Sequence, residues 1–379
     1  MKDPDFLAVI DVSAGSPTYG QVLTTTPVGA NGTMPHHLEY VLPDSTQLLF
    51  ANGHMSEQIF LFNTADAERP RLVRTLPTVA PFRYPHDMVR LANGHVMVGF
   101  LRSEGASPVV GDTMRPAGHG GIAEVDSAGA VLRSASAADS SVHVPIRPYS
   151  FAFLPAIDRL LVTSAPMMED TSADVIQMWR YSDFKLLGTT QVPPATLADG
   201  TPMPNGHHLP FEPRLMPDGS ILFNAFGCGL YRVTSLELAH PVVSNVFTFA
   251  VPPEKVGSCG IPIVVGRYWL MAVGAIHAVV ALDIRDPAHP VEVSRLTADT
   301  VFRPHWLAKD PRSDRFLVGA ENGGENRMLI AHVDSVSGRL WWDETLKGTD
   351  GQRGITFNRP QWPHGATGAA FGHAALFRP

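Results

Sequence analysis

Charge is scarce in this chain. Lysine, arginine, aspartate and glutamate make up only 17 % of its 379 residues, and the net charge is −7. No lysine- or arginine-rich run or stripe appears, which argues against nucleic acid as a partner. Cysteine is rarer still. Cys228 and Cys259 are the only two, too few for a disulfide framework or a four-thiolate zinc site. They fall in different repeat units and nothing indicates an oxidising compartment, so they are expected to be unbonded, buried thiols. Long apolar runs are missing too. The longest, Trp269 to Leu282, is interrupted by His277 and is too short to span a bilayer. The opening Met1-Lys2-Asp3-Pro4-Asp5 has no apolar leader core. That points to the cytoplasm, or to the periplasm if a leader was removed. Helical periodicity cannot be followed over three turns anywhere. The G-x-S-x-G elbow, the P-loop, H-E-x-x-H and paired C-x-x-C are all absent.

What the chain has in quantity is glycine and proline, 33 of each, set at intervals between short runs of Val, Ile, Leu and Phe. That is the punctuation of many short strands joined by tight turns, so the chain reads as all-β. A hairpin unit recurs. Its clearest copies are Pro35–Asp44, Pro85–Gly94, Pro210–Gly219 and Pro304–Pro311, each followed by a second apolar strand. Weaker copies begin at Pro148, Cys259 and Pro363. The outer half repeats as well: Ile59–Asn63 with Arg69–Val73 matches Val279–Asp283 with His289–Val293. Units starting near residues 35, 85, 148, 210, 260, 304 and 363 predict a seven-bladed β-propeller, one domain over 1–379. The lone strand Phe6–Asp11 is expected beside the strand ending at Phe377, closing the ring without exposed edges.

In a propeller the first strand of each blade lines the central channel. The positions that open those strands read His36-His37, His86, Tyr149, Phe211-Glu212, Gly260, His305 and His364. Five of the 16 histidines thus fall at four of seven equivalent places. Neutral imidazole is the commonest metal ligand and suits copper, iron, zinc and nickel. The preferred ligands are His37, His86, His305 and His364, with His36 competing with His37 because neighbouring strand residues face opposite ways. Glu39, Asp87 and Glu212 are candidates to orient the rings. Tyr149 and Glu212 are expected across a gap from the histidines, as the candidate catalytic groups. Met167, Met168, Phe211, Tyr149 and Trp306 offer an apolar vestibule, with ordinary blade packing as their other reading. His373 is within reach of the axis, His207-His208 read as a loop or a channel cap, and His119 as a turn residue.

Several segments together resemble the selenium-binding proteins, a family that includes methanethiol oxidases. They are Asp5–Val12 with Ser16–Val22, the His36-His37 pair, Leu209–Arg214, Asp283–Pro290, Arg303–Trp306 and Trp362–Gly365. The resemblance implies a seven-bladed propeller and copper-dependent oxidation of methanethiol to formaldehyde, hydrogen sulfide and hydrogen peroxide, consuming dioxygen and water. It implies metal ligation by His37, His86 and His364, and by His305 as in microbial members. The chain is shorter than animal members and lacks their cysteine-rich segments, and no cysteine matches the position credited with holding selenium. The expectation is therefore a copper oxidase acting on a small thiol and dioxygen. Iron is the alternative metal. Another histidine-ligated oxygenase or lyase, or a non-catalytic binding propeller, are the alternative functions.

Overall fold

The computed structural model describes residues 3–104, 118–167, 171–252, 258–321 and 325–378. The chain forms an all-β propeller. Among the described residues it has six blades, not the seven expected. In blade 1 the irregular Pro35 segment takes the place of a first strand, and Leu48–Gly53, Gln58–Asn63 and Arg71–Pro77 are its second, third and fourth. Blade 2 contains Phe82–Arg90, Val96–Ser103, Gly121–Val125 and Val131–Ser136. Blade 3 contains Pro148–Leu154, Arg159–Ser164, Val175–Arg180 and Lys185–Gln191. Blade 4 contains Pro210–Leu215, Ile221–Ala225, Gly229–Thr234 and Val242–Thr248. Blade 5 contains Ile263–Val265, Tyr268–Val273, Ala278–Asp283 and Val291–Thr297. Blade 6 contains Pro304–Lys309, Arg315–Ala320, Arg327–Val333 and Leu340–Trp342, with Ile355–Thr356 paired to its third strand.

Middle strands are apolar on both faces because each of blades 2 to 5 is sandwiched between two others. Along Tyr268–Val273, Tyr268, Leu270 and Ala272 pack into the core shared with blade 6. The alternate residues Trp269, Met271 and Val273 pack into the core shared with blade 4. Period-2 geometry sends neighbours to opposite faces, so a strand buried on both sides reads as a continuous apolar run. Outermost strands such as Val131–Ser136 and Val291–Thr297 are largely exposed and carry charge, which protects their free edges. The described residues contain no helix long and apolar enough to cross a membrane.

The seam is where the expectation fails. Phe6–Ile10 pairs antiparallel with Val22–Pro27 as a two-stranded ribbon, not with a strand ending at Phe377. The ribbon sits between blades 6 and 1. Arg315 Nη1 of blade 6 donates to Val12 O at 2.7 Å, and Thr26 Oγ1 donates to Pro70 O of blade 1 at 2.7 Å. The C-terminal segment joins it as extended chain without strand pairing. Its Ala375 carbonyl accepts from Trp306 Nε1 at 2.8 Å. The run Gly365-Ala366-Thr367-Gly368-Ala369-Ala370-Phe371-Gly372 is rich in glycine and alanine, which form strands poorly. Trp362–Ala366 closes instead as a tight turn, with Trp362 N donating to Ala366 O at 2.8 Å. The unit at Pro35 is likewise reduced, meeting blade 1 through the bridge between Leu38 and Ala51.

Cys228 and Cys259 are disulfide-bonded, with Cα atoms 5.1 Å apart, against the expectation of free thiols. They do lie in different units, but those units are adjacent blades. Cys228 follows the second strand of blade 4, and Cys259 enters blade 5, its amide donating to Phe226 O at 3.1 Å. The ring places the end of one blade's second strand against the start of the next blade's first.

Candidate metal centre

The first strand of each blade opens on the same face of the ring, and there the histidines gather. His36 and His37 precede blade 1, His86 lies in the first strand of blade 2, His305 in that of blade 6, and His373 in the C-terminal segment. The His37 ring centroid is 4.7 Å from His36 and 4.2 Å from His86. That of His373 is 3.7 Å from His36 and 4.9 Å from His305. Ring nitrogens of His36, His37 and His373 lie within 4.8 Å of one another. His54, at the end of blade 1's second strand, flanks the group 6.1 Å from His36.

One residue organises the entry of the first two blades. Asn52 is fully buried in the second strand of blade 1. Its Oδ1 accepts from the backbone amides of His36 and His37 at 2.7 and 2.8 Å. Its Nδ2 donates to the carbonyls of Pro85 and His86 at 3.0 and 2.8 Å. All four hydrogen bonds available to the amide are used. Asn224 holds the equivalent place in blade 4, donating to Cys259 O and Gly260 O at 3.0 Å each.

The rings of His36, His54, His86, His305 and His373 are neutral near pH 7. Burial drives His36, His86 and His373 well below the ordinary imidazole value, and neighbouring imidazoles push the same way. Burial brings His54 down to about 4. Burial, then His37 and Arg303, bring His305 down to about 3. Both ring nitrogens of His37 and of His86, and Nδ1 of His305 and His373, are buried without a hydrogen-bond partner. Buried polar atoms are normally paired, so six orphans on four mutually packed or bridged rings fit a metal ligand set.

The remaining expected residues divide. His364 stands apart: its Nδ1 is 2.6 Å from Thr25 Oγ1 and its ring packs on Phe6. No ring contact among the described residues links it to the cluster. Asp87 brings Oδ1 to 3.5 Å from His37 Nδ1. Glu39 does not orient a ring; it pairs with Arg90 at 2.7 Å. Tyr149 is in contact rather than across a gap, 4.2 Å from His86 and stacked on Phe211 at 4.1 Å. Glu212 is fully buried behind it. It accepts from Tyr40 Oη at 2.7 Å, Arg214 Nη1 at 2.9 Å and Ser150 Oγ at 3.2 Å. Burial pushes its carboxyl up, opposed by Arg214. Tyr40 stacks on Trp306 at 5.4 Å, and Trp306 meets His37 edge-on at 5.0 Å. His119 is structural, its Nδ1 accepting from the Ile146 amide at 3.1 Å. Met168 lies outside the described residues.

Sequence reasoning missed His54 and Asn52, which belong to a second strand rather than to the opening of a first. The only available signal was that Asn52 and Asn224 occupy the same place in two copies of the repeat. A cavity of 1660 Å³ lies between the ribbon and the C-terminal segment and reaches His36, His37 and His373. Its lining is mostly apolar and includes Phe6, Ala8, Ile10 and Phe357.

No protein-family model matches the chain, and no curated protein matches it. Solved structures do. A hypothetical selenium-binding protein from Sulfolobus tokodaii is 15 % identical with a TM-score of 0.70, over 91 % of this chain and 87 % of that one. The periplasmic gluconolactonase of Pseudomonas aeruginosa is 17 % identical with a TM-score of 0.63, over 91 % and 92 %. A putative 6-phosphogluconolactonase from Bacteroides fragilis is 13 % identical with a TM-score of 0.60, over 91 % of each chain. At these identities the likeness establishes the propeller fold and leaves chemistry to the site itself.

Proposed function

We propose that His36, His37, His86 and His373 hold one copper ion beside the channel, with His305 next to them, and that the protein is a copper-dependent oxidase of a small thiol such as methanethiol. The observation that carries this reading is the set of buried ring nitrogens without partners on His37, His86 and His373, with ligand nitrogens of His36, His37 and His373 within 4.8 Å of one another. An all-imidazole set suits copper, with iron as the alternative. Copper bound there supplies electron transfer from thiol to dioxygen, the net conversion being methanethiol, dioxygen and water to formaldehyde, hydrogen sulfide and hydrogen peroxide.

The protein's own groups have definable tasks around such an ion. Asp87, 3.5 Å from His37 Nδ1, would favour a proton on that nitrogen when Nε2 holds the ion. Tyr149 and Trp306 pack against His86 and His37 and hold the ring planes while excluding water. Glu212, bonded to Tyr40, Ser150 and Arg214, anchors that aromatic layer from behind. The apolar cavity beside His36, His37 and His373 favours a small uncharged thiol over the polyhydroxylated sugar lactones named in two of the structural neighbours.

Metal analysis of the purified protein, then copper loading and assay of methanethiol with detection of formaldehyde, sulfide and peroxide, tests this. About one copper per chain is expected, lost in His37→Ala and His86→Ala while the blades stay folded. Full copper content in both variants, or no thiol turnover by copper-loaded protein, overturns the reading.

A further inference from the structure

A second group of metal-ligating side chains lies outside the imidazole cluster. Asp174 immediately precedes the third strand of blade 3, and His207-His208 precede the first strand of blade 4. Strands within a blade are antiparallel, so the first and third both start on the face where the channel histidines gather. One ligand atom from each of Asp174, His207 and His208 lies within 4.8 Å of the others.

We propose that Asp174, His207 and His208 form a separate binding site for a zinc ion. Two imidazoles and one carboxylate are a donor set zinc takes when it keeps a further position for water. Asp174 Oδ2 lies 2.5 Å from His208 Nδ1 and 4.0 Å from His207 Nε2. Asp174 Oδ1 is occupied by the Leu209 amide at 2.9 Å, so Oδ2 is the oxygen left to share between the two rings. The His207 nitrogen nearest the carboxylate, Nε2, lies too far from Oδ2 to hydrogen-bond it. A simple Asp–His pair accounts for His208 and leaves His207 unexplained.

Both sides of the site are held by backbone. The Asp174 carbonyl accepts from Val192 N at 2.9 Å and Gln191 Nε2 at 2.8 Å. The loop carrying the histidines is pinned to the next hairpin: Gly227 N donates to His208 O at 3.0 Å and Gly229 N to Gly206 O at 2.8 Å. Close approach is essential there, since a Cβ on Gly227 would fall 1.8 Å from Asn205 O. Leu209 then turns the chain at φ 61°, with its amide on Asp174 Oδ1. Rigid supports of this kind are what a metal site needs. His208 is 44 % exposed, so a hydrated ion can reach the site. Ligation moves this ring off the carboxylate, because two donors on one zinc sit further apart than 2.5 Å.

Equilibrium dialysis of the chelator-stripped full chain against zinc alone tests this, with bound metal counted per chain. A His37→Ala background weakens the channel site, so the comparison does not depend on that site being a metal centre. In that background one bound zinc is expected. Adding either Asp174→Asn or His207→Ala should lower its affinity at least tenfold. Asp174→Asn keeps an oxygen for the Leu209 amide, so its thermal melt should match the parent, and His207→Ala removes a ligand without touching that bond. Zinc uptake unaffected by both changes, or none in the His37→Ala background, means the group is an ion pair only and overturns the proposal.

Discussion

Replacing Asn52 by alanine removes both bonds that set the His36-His37 backbone and both that set the start of blade 2 at His86. Four buried backbone groups lose this bond at once, with Pro85 O keeping only a 3.3 Å contact to His54 Nδ1. A net hydrogen bond contributes about 1 kcal/mol, and a stranded buried group costs roughly 1–3 kcal/mol, with water admitted to the vacated space relieving part of it. The expected loss is about 3–5 kcal/mol in urea denaturation. Asn224→Ala is the matched control, because it sits at the same place in blade 4 and loses two bonds, to Cys259 and Gly260. Its expected loss is about 1–3 kcal/mol. The two should also differ in metal uptake. Copper titration of Asn52→Ala should show affinity reduced at least tenfold, because three ring-bearing residues lose their shared anchor, whereas Asn224→Ala should bind as the parent does. Equal destabilisation by the two variants, or unchanged copper affinity in Asn52→Ala, refutes the view that this amide positions the cluster.

Acid should weaken the metal-free fold. His54 and His305 stay neutral down to about 4 and about 3 because they are buried. The unfolded chain protonates them near 6.5, so it binds more protons and stability falls as pH drops through 6.5 towards 4. His54 alone accounts for about 2–3 kcal/mol of that fall by pH 4.5; urea curves for His54→Gln should be flatter with pH by this amount, and parallel curves would count against the assignment. Reducing the Cys228–Cys259 bond, which closes a separation of 31 residues, should cost about 2–4 kcal/mol. Because the bond ties blades 4 and 5, away from His36, His37 and His86, copper content should not change on reduction; loss of copper with dithiothreitol in a still-folded protein would contradict this. Glu212→Gln leaves Arg214 without its charged partner at 2.9 Å and should cost about 2 kcal/mol, with the Tyr40 bond kept by the amide oxygen; an unchanged denaturation midpoint would show that the pair contributes nothing.

Blades 2 to 6 were legible because each begins with a proline-led strand and a polar turn. The units read at 85, 148, 210, 260 and 304 fall within a few residues of strands beginning at Phe82, Pro148, Pro210, Ile263 and Pro304. At the seam the same signal misled. Pro363-His364-Gly365 looks like another opening, but the glycine and alanine that follow do not supply the β-branched and aromatic side chains a stacked strand requires. His364 therefore faces the ribbon and Thr25, while His373, nine residues on, meets His36 and His305. The disulfide escaped notice for a different reason. Repeat units separate Cys228 from Cys259 in sequence, whereas ring closure makes consecutive units neighbours, and only the latter matters to a sulfur–sulfur contact.

The position of the cluster follows from how the ring is closed. Seams 1–2 and 4–5 are secured by an asparagine reaching from a second strand to the next blade, Asn52 and Asn224. Between blades 3 and 4 Thr163 does the same, donating to Phe211 O at 2.5 Å. Blades 5 and 6 are joined through Ile261 N and His305 O at 2.7 Å. Between blades 6 and 1 a two-stranded ribbon and the C-terminal tail stand in for a four-stranded blade, with Leu7 packed on blade 1 and Phe6, Ala8 and Ile10 on blade 6, and a 1660 Å³ cavity is lined by both. Imidazoles from both sides of that gap converge on its inner end, and His373 arrives on the tail that partly fills it. A fully stacked seventh blade would cover the cavity and with it the approach to His36, His37 and His373. The glycine- and alanine-rich sequence that prevents a strand there is therefore the same feature that keeps the candidate site reachable. The unpartnered nitrogens of His37 and His373 belong to rings that line this cavity, where an outside ligand can pair them.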